Sequence, residues 1–174
     1  MKKLNKEFNI VFSGLKLGEH EFSYELSREF FEEYGFEEFL DQRLSVKASM
    51  KKSNTMLEFE FSLSGEVEVL CDILSEPFWM PVSNEFTLLV KFGEEFNDED
   101  DEVLILPHGA YEVNIAQYLF ELAALSVPAK RISPKAEQEL EEIEAEEREA
   151  SENDEDSSDE NIDPRWNKLK DLLN

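Results

Sequence analysis

Residues 44–73 alternate apolar and polar side chains with hardly a break. Leu44, Val46, Ala48 and Met50 hold the period, and Lys51-Lys52-Ser53-Asn54 makes a turn. Leu57, Phe59, Phe61 and Leu63 then resume it, and Val67, Val69, Cys71 and Ile73 carry it past Gly65. A period of two sends one row of side chains to one face of a sheet and the next row to the other. The run therefore demands two strands, or one long strand bent at Gly65, with one face in a core.

The flanks supply further elements. Phe8, Ile10 and Phe12 alternate before Gly14 and Gly18, and Phe22, Tyr24 and Leu26 alternate after them, the pattern of a hairpin over residues 7–26. Ser27 to Gly35 reads as a short helix with Ser27 as N-cap and Gly35 at its end. Pro77 and Pro81 bracket an irregular link. Phe86, Leu88, Val90 and Phe92 form another strand, ending at Gly93. Glu94 to Glu102 reads as an acidic loop, and Val103 to Leu106 as a short buried strand stopped by Pro107 and Gly109. Asn114 to Leu125 is a helix apolar nearly all round, hence buried or covered. Its Ile115, Leu119, Leu122 and Leu125 are expected to face the sheet. The expected fold class is α+β: a small antiparallel sheet, curled or barrel-like, with two packed helices.

Beyond this domain the character changes. The chain has 174 residues, a net charge of −25 and a pI near 4.3. From Ser133 to Asp163 there are 15 acidic and 2 basic residues, so that stretch carries −13 of the −25 and the remainder carries −12. Lys135 to Ala150 has good helix formers and a Glu144–Arg148 pair at helical spacing, but hardly any apolar face. Residues 151–162 have too little apolar surface to offset ordering. The division is a domain over 1–132, an acidic helical or disordered arm over 133–162, and a short basic amphipathic helix over 163–174. In that last segment Asp163 suits an N-cap and Pro164 the first helical position. Trp166, Leu169 and Leu172/Leu173 recur at helical spacing, among Arg165, Lys168 and Lys170. Such a helix cannot stand alone in water, so it docks on its own domain or on a partner.

Three stretches resemble the YceD-like family, bacterial and plastid factors named for accumulation of large-subunit ribosomal RNA. Val69-Leu70-Cys71-Asp72-Ile73-Leu74-Ser75-Glu76-Pro77-Phe78 lies where the family often has Cys-x-Arg-Cys-Leu-x-Pro. Cys71, Glu76 and Pro77 match, while Ile73 and Leu74 replace the Arg and the second Cys. Leu106-Pro107-His108-Gly109, Asn114-Ile115, Glu121, Leu125 and Pro128 are similar to its Leu-Pro-x-Gly turn, hydrophobic helix and following Pro. Asp163-Pro164-Arg165-Trp166-Asn167-Lys168-Leu169-Lys170 is similar to its terminal Asp-Pro-Arg-aromatic-x-x-Leu segment. Many relatives carry further cysteines just after the position of Pro128, which could join the earlier pair in a metal site. Here Ala129-Lys130-Arg131 stands there. The resemblance implies a non-enzymatic factor in large ribosomal subunit biogenesis and 23S rRNA accumulation.

Few residues suggest reaction chemistry. Cys71 is the only cysteine, so no disulfide forms within the chain, which fits a reducing cytoplasm. It reads as a core residue rather than a reactive thiol. His20 and His108 lack a neighbouring nucleophile and read as structural or solvated. With Cys71 they are three zinc ligands at most, where a tetrahedral site needs four, so no metal and no cofactor is expected. Asp98 to Glu102 lacks calcium-loop spacing. No small-molecule substrate is expected. The start of the chain has no apolar segment after its lysines, and Ile115 to Pro128 is too short to span a bilayer. The expectation is a cytoplasmic, non-membrane protein.

Binding remains. The expected partner-binding residues are Arg165, Trp166, Lys168, Leu169 and Lys170, with Lys47, Lys51, Lys52, Lys130 and Arg131 as secondary basic candidates. The resemblance implies a ribosomal protein, a pre-ribosomal particle or rRNA as the partner. So acidic a chain is repelled by bare RNA and attracted to basic ribosomal proteins, which favours protein contact. The rival from another class is an acid-metal nuclease acting on rRNA, which would need a compact carboxylate cluster on ordered strands.

Overall fold

The alternating run folds into the centre of a sheet. In a computed structural model, which describes residues 6–154, the chain runs β1 (Asn9–Val11), β2 (Gly18–Leu26), α1 (Arg28–Glu33), β3 (Asp41–Lys52), β4 (Met56–Leu70) and β5 (Pro77–Gly93). It continues as β6 (Asn97–Asp100), β7 (Val103–Pro107), β8 (Glu112–Asn114), α2 (Ala116–Ala124) and α3 (Pro134–Asp154). One unit ends at Ser133, and a second begins at Pro134. The fold is α+β, with a six-stranded sheet in the order β2-β3-β4-β5-β7-β6 and a separate β1-β8 ribbon.

β4 is one strand through Gly65, paired along its whole length with β3 on one side and β5 on the other. Gly65 has φ +151°, and a Cβ there would lie 2.0 Å from the Arg43 carbonyl oxygen. Only glycine permits that approach. The alternation is unbroken across it: Leu57, Phe59, Phe61, Leu63, Val67 and Val69 are all buried. At the β3–β4 turn the Ser53 hydroxyl accepts from the Met56 N–H at 3.1 Å and donates to the Met56 carbonyl at 2.8 Å, closing the hairpin.

Among the described residues of the first unit, the ribbon and helices cover one face of the sheet. Against it pack Phe8, Ile10 and Val113 of the ribbon region, Phe30 and Phe31 of α1, and Ile115, Leu119 and Leu122 at α2. α1 ends as expected at Gly35, with φ +66°. The Gly35 N–H donates to Glu32 O at 3.0 Å and the Phe36 N–H to Phe31 O at 3.1 Å, a paired closure with a Phe31–Phe36 ring contact across it. The aromatic cluster continues to Phe120 of α2, which stacks on Tyr34 at 4.2 Å.

Several expectations are corrected. Residues 7–26 are not a hairpin: β1 pairs with β8, and β2 pairs with β3. The alternation was right, but period alone does not choose a partner. Pro77 and Pro81 do not break the chain, because β5 runs straight through them. β7 pairs β5 only at Leu89–Gly93, so the stretch before it has no strand on that side and a proline there removes no ladder bond. The acidic loop contains β6, and β7 lies parallel to β5 rather than antiparallel.

The sheet is open, not barrel-like. Its edges, β2 and β6, do not meet, and the row Glu19, Glu21, Glu25 and the acids of β6 make both edges poor templates for pairing. Leu125 is 78% exposed, one residue past the end of α2, so it does not face the sheet. Among the described residues there are three helices: α1 and α2, the two packed on the sheet, and α3 in the acidic arm. The third, α3, opens with Pro134 at its first position and extends to Asp154, past the start of the stretch read as too polar to order.

Leu122 is buried where Leu125 is not. Leu122→Ala should therefore cost about 2–5 kcal/mol in urea unfolding, and Leu125→Ala less than about 0.5 kcal/mol. Equal losses would show that α2 sits on the sheet by a different face.

Candidate functional site

The secondary basic candidates do not form one patch. Lys47 and Lys51 project from β3 on the uncovered face, with Ser23 and Ser62 flanking Lys47 in register and Glu19 and Glu58 flanking Lys51. Lys52 points the other way. Its Nζ donates to the Phe12 and Leu15 carbonyls at 2.7 and 2.8 Å, tying the β1–β2 link to the end of β3. Lys130 is exposed. Arg131 is half-buried, with Nη1 3.6 Å from Glu38 and Nε 3.7 Å from Asp72. The terminal set, Arg165, Trp166, Lys168, Leu169 and Lys170, lies outside the described residues.

Arg131 belongs to a clasp. The Asp72 N–H donates to the Arg131 carbonyl at 2.8 Å, and the Arg131 N–H donates to the Asp72 carboxylate at 2.7 Å. One residue earlier, the Ser133 N–H donates to Cys71 Sγ at 3.4 Å. The turn after Cys71 closes through Ser75 N–H to Cys71 O and Cys71 N–H to Glu76 O. Cys71 is 1% exposed. Burial would raise its thiol pKa, but hydrogen bonds from the Leu74 backbone, the Ser133 side chain and backbone and the Ile73 backbone outweigh it and bring the value down to about 7. The stretches where the resemblance places cysteines thus meet, and here Ile73, Leu74 and Arg131 stand among them. Among the described residues no three His, Cys, Asp or Glu side chains are arranged to hold a metal ion.

The histidines are apart from this clasp. His20 Nε2, near the start of β2, lies 2.8 Å from the Lys16 carbonyl in the preceding loop. His108 sits beside Phe12, Asn54 and Phe92 in an open hollow. In the acidic stretch, Asn97 and Asp100 turn their carboxamide and carboxylate onto the N–H groups of Glu99 and Glu102, which shapes the β6–β7 turn.

The other face of the sheet carries no sequence motif that marks it as a site. Its central rows alternate short hydroxyl and long charged side chains, and between the long ones the surface forms a concavity of about 550 Å³ spanning β2 to β5. Glu21, Glu60 and Glu85 line it with Lys47. A second hollow, about 180 Å³, shares Ser49 and Glu60 and adds Glu19, Glu58 and Lys51. Towards the other end of the face, the Arg43 guanidinium lies over the Trp79 ring at 4.5 Å and binds Glu66 at 2.8 Å. Beside Glu85, the Tyr118 hydroxyl is pushed up to about 12, first by burial and then by the charges of Asp98, Glu121 and Asp101. The signal for this face was the polar half of the alternation. Only the register shows that its short hydroxyl residues alternate with Lys47, Glu21, Glu60 and Glu85 across the strands.

A family model described as large ribosomal RNA subunit accumulation protein YceD matches residues 59–173. The chain belongs to the YceD family. The match begins within β4 and takes in the Cys71 turn, β5, α2, α3 and the terminal basic segment. Lys47, Lys51 and Lys52 precede it. The family is named for accumulation of an RNA subunit, not for a reaction. No curated protein and no solved structure matches this YceD chain. No helix among the described residues is long and apolar enough to cross a membrane.

Two outcomes follow from the clasp and from Lys52. Native Cys71 should react with a thiol reagent only as fast as the clasp opens, and Asp72→Ala should accelerate that reaction; unchanged labelling would mean the thiol is reached without opening. Lys52→Met, which removes a charged donor from two buried-side carbonyls, should lower stability by about 1.5–3 kcal/mol, while Lys47→Met should change it by less than about 0.5 kcal/mol.

Proposed function

We propose that this YceD protein is a non-enzymatic factor in large ribosomal subunit biogenesis, sustaining 23S rRNA accumulation by holding a ribosomal protein or precursor particle. The observation that carries this reading is the reach of the family match, which runs to Leu173 and includes the acidic arm and the basic segment beyond it. Anchoring falls to Arg165, Trp166, Lys168, Leu169 and Lys170. An aromatic residue among basic ones is the composition of an interface hot spot.

Electrostatics decides between protein and bare RNA. At −25, the chain repels a phosphate backbone unless cations are gathered in one place. Lys52 and Arg131 are held by internal partners, and Lys47 and Lys51 stand among carboxylates. A basic ribosomal protein is attracted instead, and the acids of α3 can shield it from RNA. As a helix of 21 residues, α3 is about 30 Å long, so the arm is a stiffer spacer than a coil.

Truncation before Asp163 is the test. Association with large-subunit precursor particles, followed by sedimentation of cell extract, should be lost while the melting temperature stays nearly unchanged. Trp166→Ala should reproduce most of that loss. A truncated chain that melts several degrees lower yet still co-sediments would make the segment structural and overturn the assignment.

A further inference from the structure

We infer that the uncovered face of the sheet is a second docking surface, a groove for an arginine- and lysine-bearing segment of a protein partner. Its shape follows from side-chain size. Ser23, Ser49 and Ser62 sit in neighbouring rows of β2, β3 and β4, with Thr87 beyond them on β5. They alternate across the strands with Lys47 and Glu85 in one row and with Glu21 and Glu60 in the next, so low hydroxyl positions zigzag between long charged ones over about 14 Å, given the usual spacing between strands. That length takes one extended stretch of a few residues or about two turns of helix.

Charge selects the occupant. Glu21, Glu60 and Glu85 border the floor, and Glu19 and Glu58 extend the border into the adjoining hollow. Against these five carboxylates stand Lys47 and Lys51. Carboxylates accept paired N–H bonds from a guanidinium fork, and serine hydroxyls accept from its remaining donors. A nucleic acid meets the opposite condition, since its phosphates would face that same row of carboxylates. The floor also lacks the large apolar side chains that a second copy would need to bury for a stable dimer.

This groove shares its partner class with the function proposed above and rests on that reading only for its setting. Its test needs no ribosomal particle and no terminal segment, so the two fail separately. The probe is a fluorescein-labelled peptide of alternating arginine and alanine, about 12 residues long, which exceeds the floor in either conformation. It is titrated by anisotropy against the full chain at near-physiological salt. Ser62→Trp fills the groove without altering charge and should weaken binding about tenfold; so should the pair Glu60→Gln and Glu85→Gln, a loss typical of central contacts. The matched pair Glu146→Gln and Glu147→Gln on α3 removes the same charge elsewhere and should have little effect. If Ser62→Trp melts early, Thr87→Tyr blocks the same floor from β5. Equal weakening by both glutamine pairs with none from the plugs would reduce the contact to net charge and overturn the proposal. So would a labelled oligouridylate that binds and is displaced by Ser62→Trp, or a chain that dimerises through this face.

Discussion

Everything on the covered side of this protein depends on β4 being paired on both sides over its whole length while showing an apolar row on one face only. Fifteen residues of strand with six large buried side chains cannot slip by one position without turning that row into water. The approach of Gly65 to the Arg43 carbonyl pins the same register from the backbone, since no other residue fits there. Once β4 is fixed, its neighbours present Val46, Ala48, Met50, Leu88 and Val90 in the same layer. The ribbon, α1 and α2 then have one surface to cover. Aromatic side chains do much of the covering, from Phe8 through Phe30 and Phe31 to Phe120.

What the sequence reveals is the local period, and what it conceals is the partner of each element. The β3–β4 hairpin, the helix closing at Gly35 and the buried α2 follow from spacing and from one turn residue each. The β1–β8 pairing joins residues that are a hundred positions apart in the chain, and no local pattern distinguishes it from a hairpin with β2. Proline gave a false break because its effect depends on whether a strand lies on its N–H side, which is a fact of topology. Leu125 matched the helical period but lies just past the last turn, where the period no longer selects a face.

The basic candidates show the same limit at the level of the site. Lys51 and Lys52 are adjacent, and alternation separates them completely: one stands in solvent beside Glu58, the other ties two carbonyls of the β1–β2 link. Arg131 looked like half of a dibasic patch and instead closes the clasp with Asp72 and Glu38. That clasp joins the two stretches where the resemblance places cysteines. Ionic and backbone hydrogen bonds hold them here, so the geometry of that corner does not depend on a set of sulfur ligands. Trp79 under Arg43 carried no signal at all until β3, β4 and β5 were in register.

The acidity of this chain has a consequence for how a factor of this family can work. Among the described basic candidates, Lys52 and Arg131 are spent inside the fold and Lys47 and Lys51 are set among carboxylates, whereas carboxylates are spread over the sheet's outer face and along α3. Attraction to a basic protein falls off with ionic strength and with distance, over about 8–10 Å at cellular salt, so only groups that come close contribute. On the reading proposed above, a groove and an arm would each bring such groups to a partner, and neither would need to hold it tightly alone. A basic ribosomal protein kept in this way would have its RNA-binding charges covered yet exchangeable. Ribosomal RNA, with far denser negative charge, would then displace the factor rather than compete with a rigid, fully buried interface.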